Sequence, residues 1–398
     1  MYKFAQRVQK IKPSPTLAID SKAKKMIADG IDVVSFGAGE PDFDTPDHIK
    51  EGAIKALKAG KTKYTPVGGI PELKNAIIAK LKRDNNLTYT QDEILVSSGG
   101  KHALYNIAQA MFEAGDEVII PSPYWVSYPD QVLLNDATPV IVPTYEKDGF
   151  CLNPEVLEKA ITPKTKALVL NSPSNPTGGA YPRAALEAIA KVLVKHQILC
   201  ISDEIYEKIV YDGYQFTSIA SLNDEIKKLT ITVNGASKVY SMTGWRMGYA
   251  AGPKDIIQAM TKIQGQVTTN INSATQWACV EALNGPQDFL NTWVGEFKKR
   301  RDFIVEAFNK IPGVTCFKPQ GAFYVFPNIS SYFGKKFGGT EVNNSDDLSN
   351  YLLDKALVAV VAGSGFGAEG FIRLSYATSM EKIQKGLERI EKALKALS

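Results

Sequence analysis

The stretch "NGASKVYSMTGWRMGY", residues 234–249, places a single lysine, Lys238, among small and apolar residues. It continues the apolar run "LTITVNG", residues 229–235, whose β-branched composition predicts a buried strand. Arg246 follows eight residues after the lysine. Lysines usually lie on the surface among polar neighbours. A lysine at the end of a buried strand therefore raises the question of its role, although taken alone it would more often be a solvated surface side chain.

The middle of the chain alternates strand-like apolar runs with helical patterns, for example residues 101–115 and 183–196. This alternation predicts an α/β fold in which a mostly parallel seven-stranded sheet is flanked by helices. Runs that are apolar throughout are typical of strands buried on both faces. The seven predicted strands lie in residues 93–100, 116–123, 138–144, 166–178, 198–206, 229–237 and 247–253.

The pattern changes after the predicted large domain, residues 41–284, where a long helical segment begins. Beyond that segment, residues 314–329 predict a hairpin, and the polar, glycine-rich residues 330–347 predict an exposed loop. We therefore expect a smaller α+β domain in residues 285–398. The N-terminal arm, residues 1–40, is predicted to join this smaller domain.

Length and composition narrow the class of protein. A chain of 398 residues is long for one core, which favours two domains. The net charge of +4 does not favour nucleic acid or membrane binding, and no apolar run reaches the length of a membrane span. The four cysteines show no C-x-x-C pair, and the three histidines show no metal-ligand spacing. We therefore expect a cytoplasmic protein without disulfides or a metal site.

The first nineteen residues are basic and contain no acid before Asp20, a pattern that weakly imitates a transit peptide. Against this alternative, "KPSPT", residues 12–16, interrupts any helix, and no apolar signal core is present. We interpret these residues as an arm of the mature protein.

Several polar residues follow directly after predicted strands. In open parallel sheets, ligands bind at the carboxyl ends of the strands, so these residues are expected to meet. Each one alone has an ordinary structural explanation, such as a helix N-cap, a tight turn or a solvated side chain. The residues are Gly99, Gly100, Asn175, Asp203, Tyr206, Lys238 and, in the late strand "FIRLSYA", Arg373.

Together the motifs resemble those of the class I aminotransferases that use pyridoxal 5′-phosphate (PLP), which are fold-type I PLP enzymes. "GASKVYSMTGWRMG" matches the lysine signature of this family, and "KYTP", "SNPTG", "SDEIY" and "FIRLSYA" occur in the family's order. The resemblance extends over nearly the whole chain. It is strongest to the bacterial aspartate aminotransferases, a group that carries "SGGKHAL", "SPYWVSYP" and "MTGWRMGY".

The resemblance implies a role for each residue around the cofactor ring. Lys238 would hold the cofactor aldehyde as a Schiff base and then shuttle a proton. Asp203 would pair with the pyridine nitrogen and keep it protonated. Tyr206 and Asn175 would hydrogen-bond the ring oxygen, and Trp125 would stack on the ring.

The resemblance also implies a phosphate site and a homodimer with shared active sites. Gly235 departs from the family pattern, because distant relatives have serine at that position. Tyr64 would reach the phosphate from the second subunit. The other implied phosphate ligands are Ser98, Gly99, Gly100, Lys101, Ser237 and Arg246.

For the substrate, the family pattern implies that Arg373 grips the α-carboxylate, helped by Asn175 and the backbone of Gly39. The expected reaction transfers the amino group of L-aspartate to 2-oxoglutarate in two half-reactions, giving oxaloacetate and L-glutamate.

Substrate choice depends on the other end of the substrate. Lys101 lies in the first turn of its helix, where a cation opposes the helix dipole, which suggests a bound anion. In the bacterial subgroup the corresponding lysine is associated with the distal carboxylate, although Lys101 could serve only the phosphate or solvent. Ser14 and Thr16 could close over this end. Lys12 adds a positive group, and some relatives with a basic residue here also accept prephenate.

Other functions remain open at this stage. A β-lyase or decarboxylase could use the same scaffold. A cofactor-binding sensor module is disfavoured, because about 40 residues of arm leave no room for a DNA-binding domain. A nicotinamide dehydrogenase is disfavoured, because "SSGGKHAL" lacks the G-x-G-x-x-G spacing.

Overall fold

The computed structural model of the protein describes residues 2–398. The strands in this range, numbered in chain order, are β1 (Val34–Ser35), β2 (Ile94–Ser97), β3 (Glu117–Ser122), β4 (Thr138–Pro143), β5 (Thr165–Asn171), β6 (Leu199–Asp203), β7 (Thr230–Gly235), β8 (Gly248–Ala251), β9 (Tyr324–Val325), β10 (Lys335–Phe337), β11 (Thr340–Val342), β12 (Val358–Ala359), β13 (Val361–Ala362) and β14 (Ile372–Ser375).

The α-helices are numbered in the same way. They are α1 (Gln6–Lys10), α2 (Pro15–Ala28), α3 (Asp47–Lys58), α4 (Pro71–Asn85), α5 (Gly100–Met111), α6 (Ser127–Leu133), α7 (Pro154–Ala160), α8 (Arg183–His196), α9 (Asp224–Lys228), α10 (Lys254–Val267), α11 (Ser273–Asn284), α12 (Phe289–Asn309), α13 (Ser345–Ala356) and α14 (Met380–Lys395).

The seven predicted strands β2 to β8 form one sheet in the order β2-β8-β7-β6-β5-β3-β4. All of these strands run parallel except β8, which is antiparallel to both of its neighbours. The inner strands β6 and β7 are buried along their whole length, as their continuous apolar pattern predicted. The predicted α/β fold with a mostly parallel seven-stranded sheet is therefore confirmed.

The register of this sheet aligns the strand ends that carry polar residues. Asn171 of β5 pairs with Asp203 of β6, and Asp203 pairs with Val233 of β7. At the other side of the sheet, Ser97 at the end of β2 pairs with Gly248 of β8. The segments that follow β2, β5, β6 and β7 consequently emerge at the same edge.

A second core lies around α12, α14 and a three-stranded sheet of order β13-β14-β9. β1 pairs in parallel with β12, so residues near the N-terminus join the C-terminal part of the chain. This pairing agrees with an arm that belongs to the smaller domain, and the domain boundaries remain predictions.

Two local predictions in this part of the chain were wrong in detail. Residues 330–347 are not only loop, because they contain the antiparallel hairpin of β10 and β11. Residues 314–329 contain the short strand β9 and one antiparallel bridge between Thr315 and Asn328, rather than a regular hairpin. Pro319 and Pro327, in residues 314–329, lack the N–H donors that a longer ladder of backbone hydrogen bonds would need, which explains why β9 is short.

Candidate active site

A cavity of about 470 Å³ lies at the edge of the central sheet where these strands end. Segments that follow β5, β6 and β7 line it, together with parts of α2, α5 and β14. The fold thus brings residues from both ends of the chain to one place, as the topology of an open parallel sheet favours. The predicted site residues that line the cavity are Thr16, Gly39, Gly100, Lys101, Trp125, Asn175, Asp203, Tyr206, Ser237, Lys238, Arg246 and Arg373.

Asp203 is the last residue of β6, and only 7% of it is exposed. Its carboxylate accepts a hydrogen bond from the Tyr128 hydroxyl at 2.7 Å and one from the backbone N–H of Ile205 at 3.3 Å. Burial raises the pKa of Asp203 to about 6, and these hydrogen bonds only partly oppose the rise. Within residues 2–398, no cation lies within ion-pair distance of this carboxylate. The site therefore contains a buried acid that a cationic ligand would stabilise in its charged form.

Lys238 follows the end of β7, and its amine donates a hydrogen bond to the carbonyl oxygen of Gly39. The pKa of Lys238 is lowered to about 8, mainly by burial and in part by the charges of Arg373 and Arg246, whereas Glu40 and Asp203 oppose the shift. A pKa near 8 gives this amine a larger neutral, nucleophilic fraction near neutral pH than an exposed lysine has.

Arg373 on β14 is 2% exposed and lies under the rings of Tyr324 and Phe366, at 4.7 and 5.1 Å from their centroids. One terminal nitrogen donates to the side-chain oxygen of Asn175 at 3.0 Å, and the other donates to the carbonyl oxygen of Gly37 at 2.7 Å. The Nε atom is buried without a hydrogen-bond partner in the described residues. Burial lowers the pKa of Arg373. The guanidinium is therefore fixed in place and, among residues 2–398, forms no ion pair with a carboxylate.

The turn between β2 and α5 is shaped to bring backbone close to Arg246. Gly99 has φ +87°, and a Cβ atom there would clash with a terminal nitrogen of Arg246. The Arg246 guanidinium donates to the carbonyl oxygens of Thr243, at 2.9 Å, and Ser98, at 3.3 Å. The first N–H groups of α5 have no partner inside the helix, and the helix dipole favours an anion at this end. The arrangement suits a phosphate group.

Lys101 is the second residue of α5, and its amine lies 4.8 Å from the centroid of the Trp125 ring. Burial lowers the pKa of Lys101, the charge of Arg246 lowers it further, and Asp130 opposes both. Lys101 forms no ion pair in the part of the chain that the structure describes. Its amine is consequently available to an anionic ligand.

Four predicted site residues lie elsewhere. Ser98 lines a neighbouring cavity of about 420 Å³, which also touches Lys101 and Arg246. Lys12 is exposed and influences Asp130 rather than the main cavity. Gly99 contributes through the turn just described. Tyr64 is 90% exposed and outside the cavity.

Two tyrosines of the site are not evident from the sequence. The hydroxyl of Tyr324 lies 2.8 Å from that of Tyr206, and Tyr128 donates to Asp203. Tyr128 has a weak local signal, because it lies three residues after Trp125 at helical spacing and the two rings pack edge to face. Tyr324 has none, because its contact with Tyr206 joins residues more than a hundred positions apart.

The structure describes no cluster of three or more potential metal ligands within residues 2–398. In the same range, no helix is both long enough and apolar enough to span a membrane.

The fold and the cavity define an α/β protein with a buried lysine of lowered pKa, a buried acid and two arginines at one edge of the sheet. A family model described as "Aminotransferase class I and II" matches residues 31–390. The chain therefore belongs to the class I and II aminotransferases and is an aminotransferase.

Named relatives and solved structures are similar over nearly the full length. The chain is 52% identical to a "Probable aspartate/prephenate aminotransferase" of Rickettsia conorii, with 98% of each chain covered. It is 50% identical to an "Aspartate aminotransferase" of Bacillus sp. (strain YM-2), with 98% of this chain and 99% of the relative covered. The aspartate aminotransferase structure from Rhizobium meliloti superposes with a TM-score of 0.96 at 46% identity, covering 100% of both chains. The Thermus thermophilus aspartate aminotransferase with maleate gives 0.93 at 44% identity, covering 99% of this chain and 100% of that one.

Proposed function

We propose that the protein binds PLP and transfers the amino group of L-aspartate to 2-oxoglutarate, giving oxaloacetate and L-glutamate. The observation that carries the proposal is the meeting of Lys238, Asp203 and Arg373 in one cavity. The names of the relatives from Bacillus sp. and Rhizobium meliloti support aspartate as the amino donor.

Three features of the cavity suit a phosphorylated pyridine aldehyde. The Gly99 turn leaves room for a phosphate between the start of α5 and Arg246, where a side chain at position 99 would intrude. The buried Asp203 carboxylate has hydrogen-bond donors but, in the part of the chain that the structure describes, no cation within ion-pair distance. It could therefore pair with a protonated ring nitrogen. The Lys238 amine, with its lowered pKa, suits attack on an aldehyde. The residues therefore fit PLP.

When bound, PLP supplies an electron sink for the pair of electrons left behind when the substrate Cα loses its proton. Asp203 would hold positive charge on the ring nitrogen, since a contacting carboxylate favours the protonated form of a base. Lys238 would hold the cofactor and then, as a free amine, move a proton between the substrate Cα and the cofactor carbon C4′. Tyr206, held by Tyr324, would donate to the ring oxygen, and Trp125 would cover the ring face.

Arg373 would bind the substrate α-carboxylate as a planar, two-point donor. Its existing hydrogen bonds to Asn175 and Gly37 fix the plane of the guanidinium before substrate arrives. Because the group is buried, its attraction for a carboxylate is weakened less by water than it would be at the surface. The backbone of Gly39 and the side chain of Asn175 complete the proposed α-carboxylate site.

Lys101 would bind the distal carboxylate of aspartate or glutamate, since its amine lines the cavity without an ion pair in the described chain. Thr16 lines the same cavity, and its hydroxyl lies 2.8 Å from that of Ser14. A second candidate function is prephenate transamination, which the printed names of the Rickettsia and Cereibacter sphaeroides relatives favour. Lys12, through its proximity to Asp130, would belong to that specificity.

We further propose a cytoplasmic homodimer with shared sites. Tyr64 is exposed on the free chain, as expected if it completes the phosphate site of a second subunit. The four cysteines are free, which agrees with a reducing compartment.

The visible spectrum of the protein reconstituted with PLP tests the proposal. Aspartate and glutamate are expected to shift the cofactor absorbance from the visible to the near ultraviolet, whereas alanine and phenylalanine do so far more slowly. An equally fast response to arogenate, the amino product of prephenate, would establish the second candidate. A colourless protein that PLP cannot restore would overturn both.

A further inference from the structure

The segment after β6 presents acidic residues on the side that faces away from the cavity. Asp203 and Tyr206 line the cavity, whereas Glu204 and Glu207 do not. Glu207 is nevertheless 4% exposed, so its carboxylate is buried in the protein. A buried carboxylate needs donors or a counter-charge, and the partners of Glu207 show what it joins.

Glu207 accepts hydrogen bonds from three side chains. Asn85 donates to one carboxylate oxygen at 2.7 Å, and Asn234 donates to the other at 2.9 Å, where the Lys80 amine also donates. Lys80 donates in addition to Asn85 at 2.7 Å. All four side chains are at least nine-tenths buried. We call Lys80, Asn85, Glu207 and Asn234 the rear cluster.

The rear cluster connects the two segments that carry the reacting groups. Asn234 belongs to the end of β7, four residues before Lys238, and its side-chain oxygen also accepts from the N–H of Gly235. The last backbone hydrogen bond between the β6 and β7 segments joins the N–H of Glu204, directly after β6, to the carbonyl oxygen of Val233 in β7. The Glu207–Asn234 bond extends this connection beyond the point where the sheet ends.

We propose that Glu207 is a positioning residue that, through Asn234, fixes the segment of Lys238 relative to the segment of Asp203 and Tyr206. Lys80 and Asn85 anchor the Glu207 carboxylate to the end of α4. The inference rests on the proposed function, since it assigns the amine of Lys238 its position for proton transfer.

A carboxylate is required at position 207, because all three partners there are donors. A glutamine has one acceptor oxygen and an NH₂ group, which would point its own donors at the donors of Lys80 or Asn234. Glu207→Gln would also leave the Lys80 ammonium buried without its counter-charge. This variant alone therefore mixes folding with positioning.

Asn234→Ala separates the two effects, because it cuts the link to the Lys238 segment and keeps the Lys80–Glu207 ion pair. With the PLP-loaded enzyme, we expect kcat for aspartate to fall about 10- to 100-fold, as a small displacement of reacting groups can cause. The KM for aspartate should change less than about twofold, because Arg373 and Lys101 are not attached to the cluster. The matched control is Asn106→Ala, which removes another buried asparagine with two side-chain hydrogen bonds, to Ser97 and Gln264.

A second readout uses the protein without cofactor. The rate at which an amine reagent such as trinitrobenzenesulfonate labels Lys238, localised by peptide mass spectrometry, gives the pH midpoint of this amine. In Asn234→Ala the midpoint should move up by about one pH unit, because a looser segment admits water and relieves burial. Asn106→Ala should leave the midpoint and kcat unchanged. Unchanged kcat and midpoint in Asn234→Ala would overturn the proposal.

A reciprocal exchange decides the matter if the alanine variant does not fold. Asn234→Asp places two carboxylates together, and adding Glu207→Gln restores the hydrogen bond with donor and acceptor reversed. The double variant should recover kcat and the labelling midpoint relative to either single variant. A double variant no better than the worse single variant would overturn the positioning role. Failure of the wild-type protein to take up PLP would instead overturn the proposed function, which keeps the two failures distinct.

Discussion

The cavity and the rear cluster both contain buried charged groups, but the two regions differ in whether these groups form ion pairs. In the rear cluster, the ammonium of Lys80 contacts the carboxylate of Glu207 directly. In the cavity, Asp203, Lys238 and Arg373 have hydrogen-bond partners but no ion pair within residues 2–398. Burying a charge without a counter-charge costs free energy, so such charges persist where a ligand will pair with them. The comparison therefore separates the paired charges of the rear cluster, which stabilise the fold, from the unpaired charges of the cavity, which are proposed to bind a ligand.

The largest expected effect comes from removing the amine that is proposed to react. Lys238→Ala should lower kcat/KM for aspartate by at least about 10⁴-fold, because both attachment of the cofactor and the proton transfer depend on it. Its free energy of unfolding without cofactor should fall by less than about 1 kcal/mol, because no ion pair is lost. Steady-state kinetics and urea unfolding measure the two quantities. A large loss of stability would place Lys238 among the charges that hold the fold.

Removing a charge from the rear cluster should, in contrast, mainly lower the stability of the folded protein. Lys80→Met leaves the Glu207 carboxylate buried without its cation and should lower the free energy of unfolding by about 3–5 kcal/mol. Lys22→Met is the control, because the ion pair of Lys22 with Asp354 is exposed and should contribute less than about 1 kcal/mol. Equal effects of the two variants in urea unfolding would contradict the distinction.

The burial of Asp203 in the cavity should make the stability of the cofactor-free protein depend on pH. The folded pKa of Asp203 is raised to about 6 from its ordinary value of 3.8, so the unfolded chain releases this proton first. The contribution of Asp203 to the free energy of unfolding of the cofactor-free protein therefore becomes unfavourable as pH rises from about 4 to 6, and it stays constant at higher pH. Asp203→Asn should stabilise the cofactor-free protein at pH 7 by up to about 3 kcal/mol and change little at pH 4. A variant that is less stable at pH 7 would show that the charge supports the fold.

The smallest expected effect concerns the choice of substrate. Lys101→Met should lower kcat/KM for aspartate about 10- to 100-fold, the size of one charge-assisted hydrogen bond, and leave that for phenylalanine within about twofold. Competition between the two amino acids in one assay measures the ratio directly. Equal losses for both would assign Lys101 to the phosphate or to solvent.

Much of the site could be predicted because its residues follow directly after strands. Strand ends are visible as the limits of apolar runs, and parallel strands place their ends together. Asp203, Asn175 and Lys238 were located in this way, and the cavity contains all three. The hairpin of β10 and β11 was missed, because its residues are polar and rich in glycine and look like loop.

The sequence by itself determined the class of the protein and the seven-stranded sheet, and it singled out Lys238 as the lysine proposed to react. These depend on local patterns, namely apolar periodicity and short motifs, which each segment carries alone. Only the tertiary structure decided that Tyr324 supports Tyr206, and that Glu207 joins Asn234 to Lys80 and Asn85. Such contacts depend on where side chains from distant segments point once the strands are in register, and no local pattern records that direction.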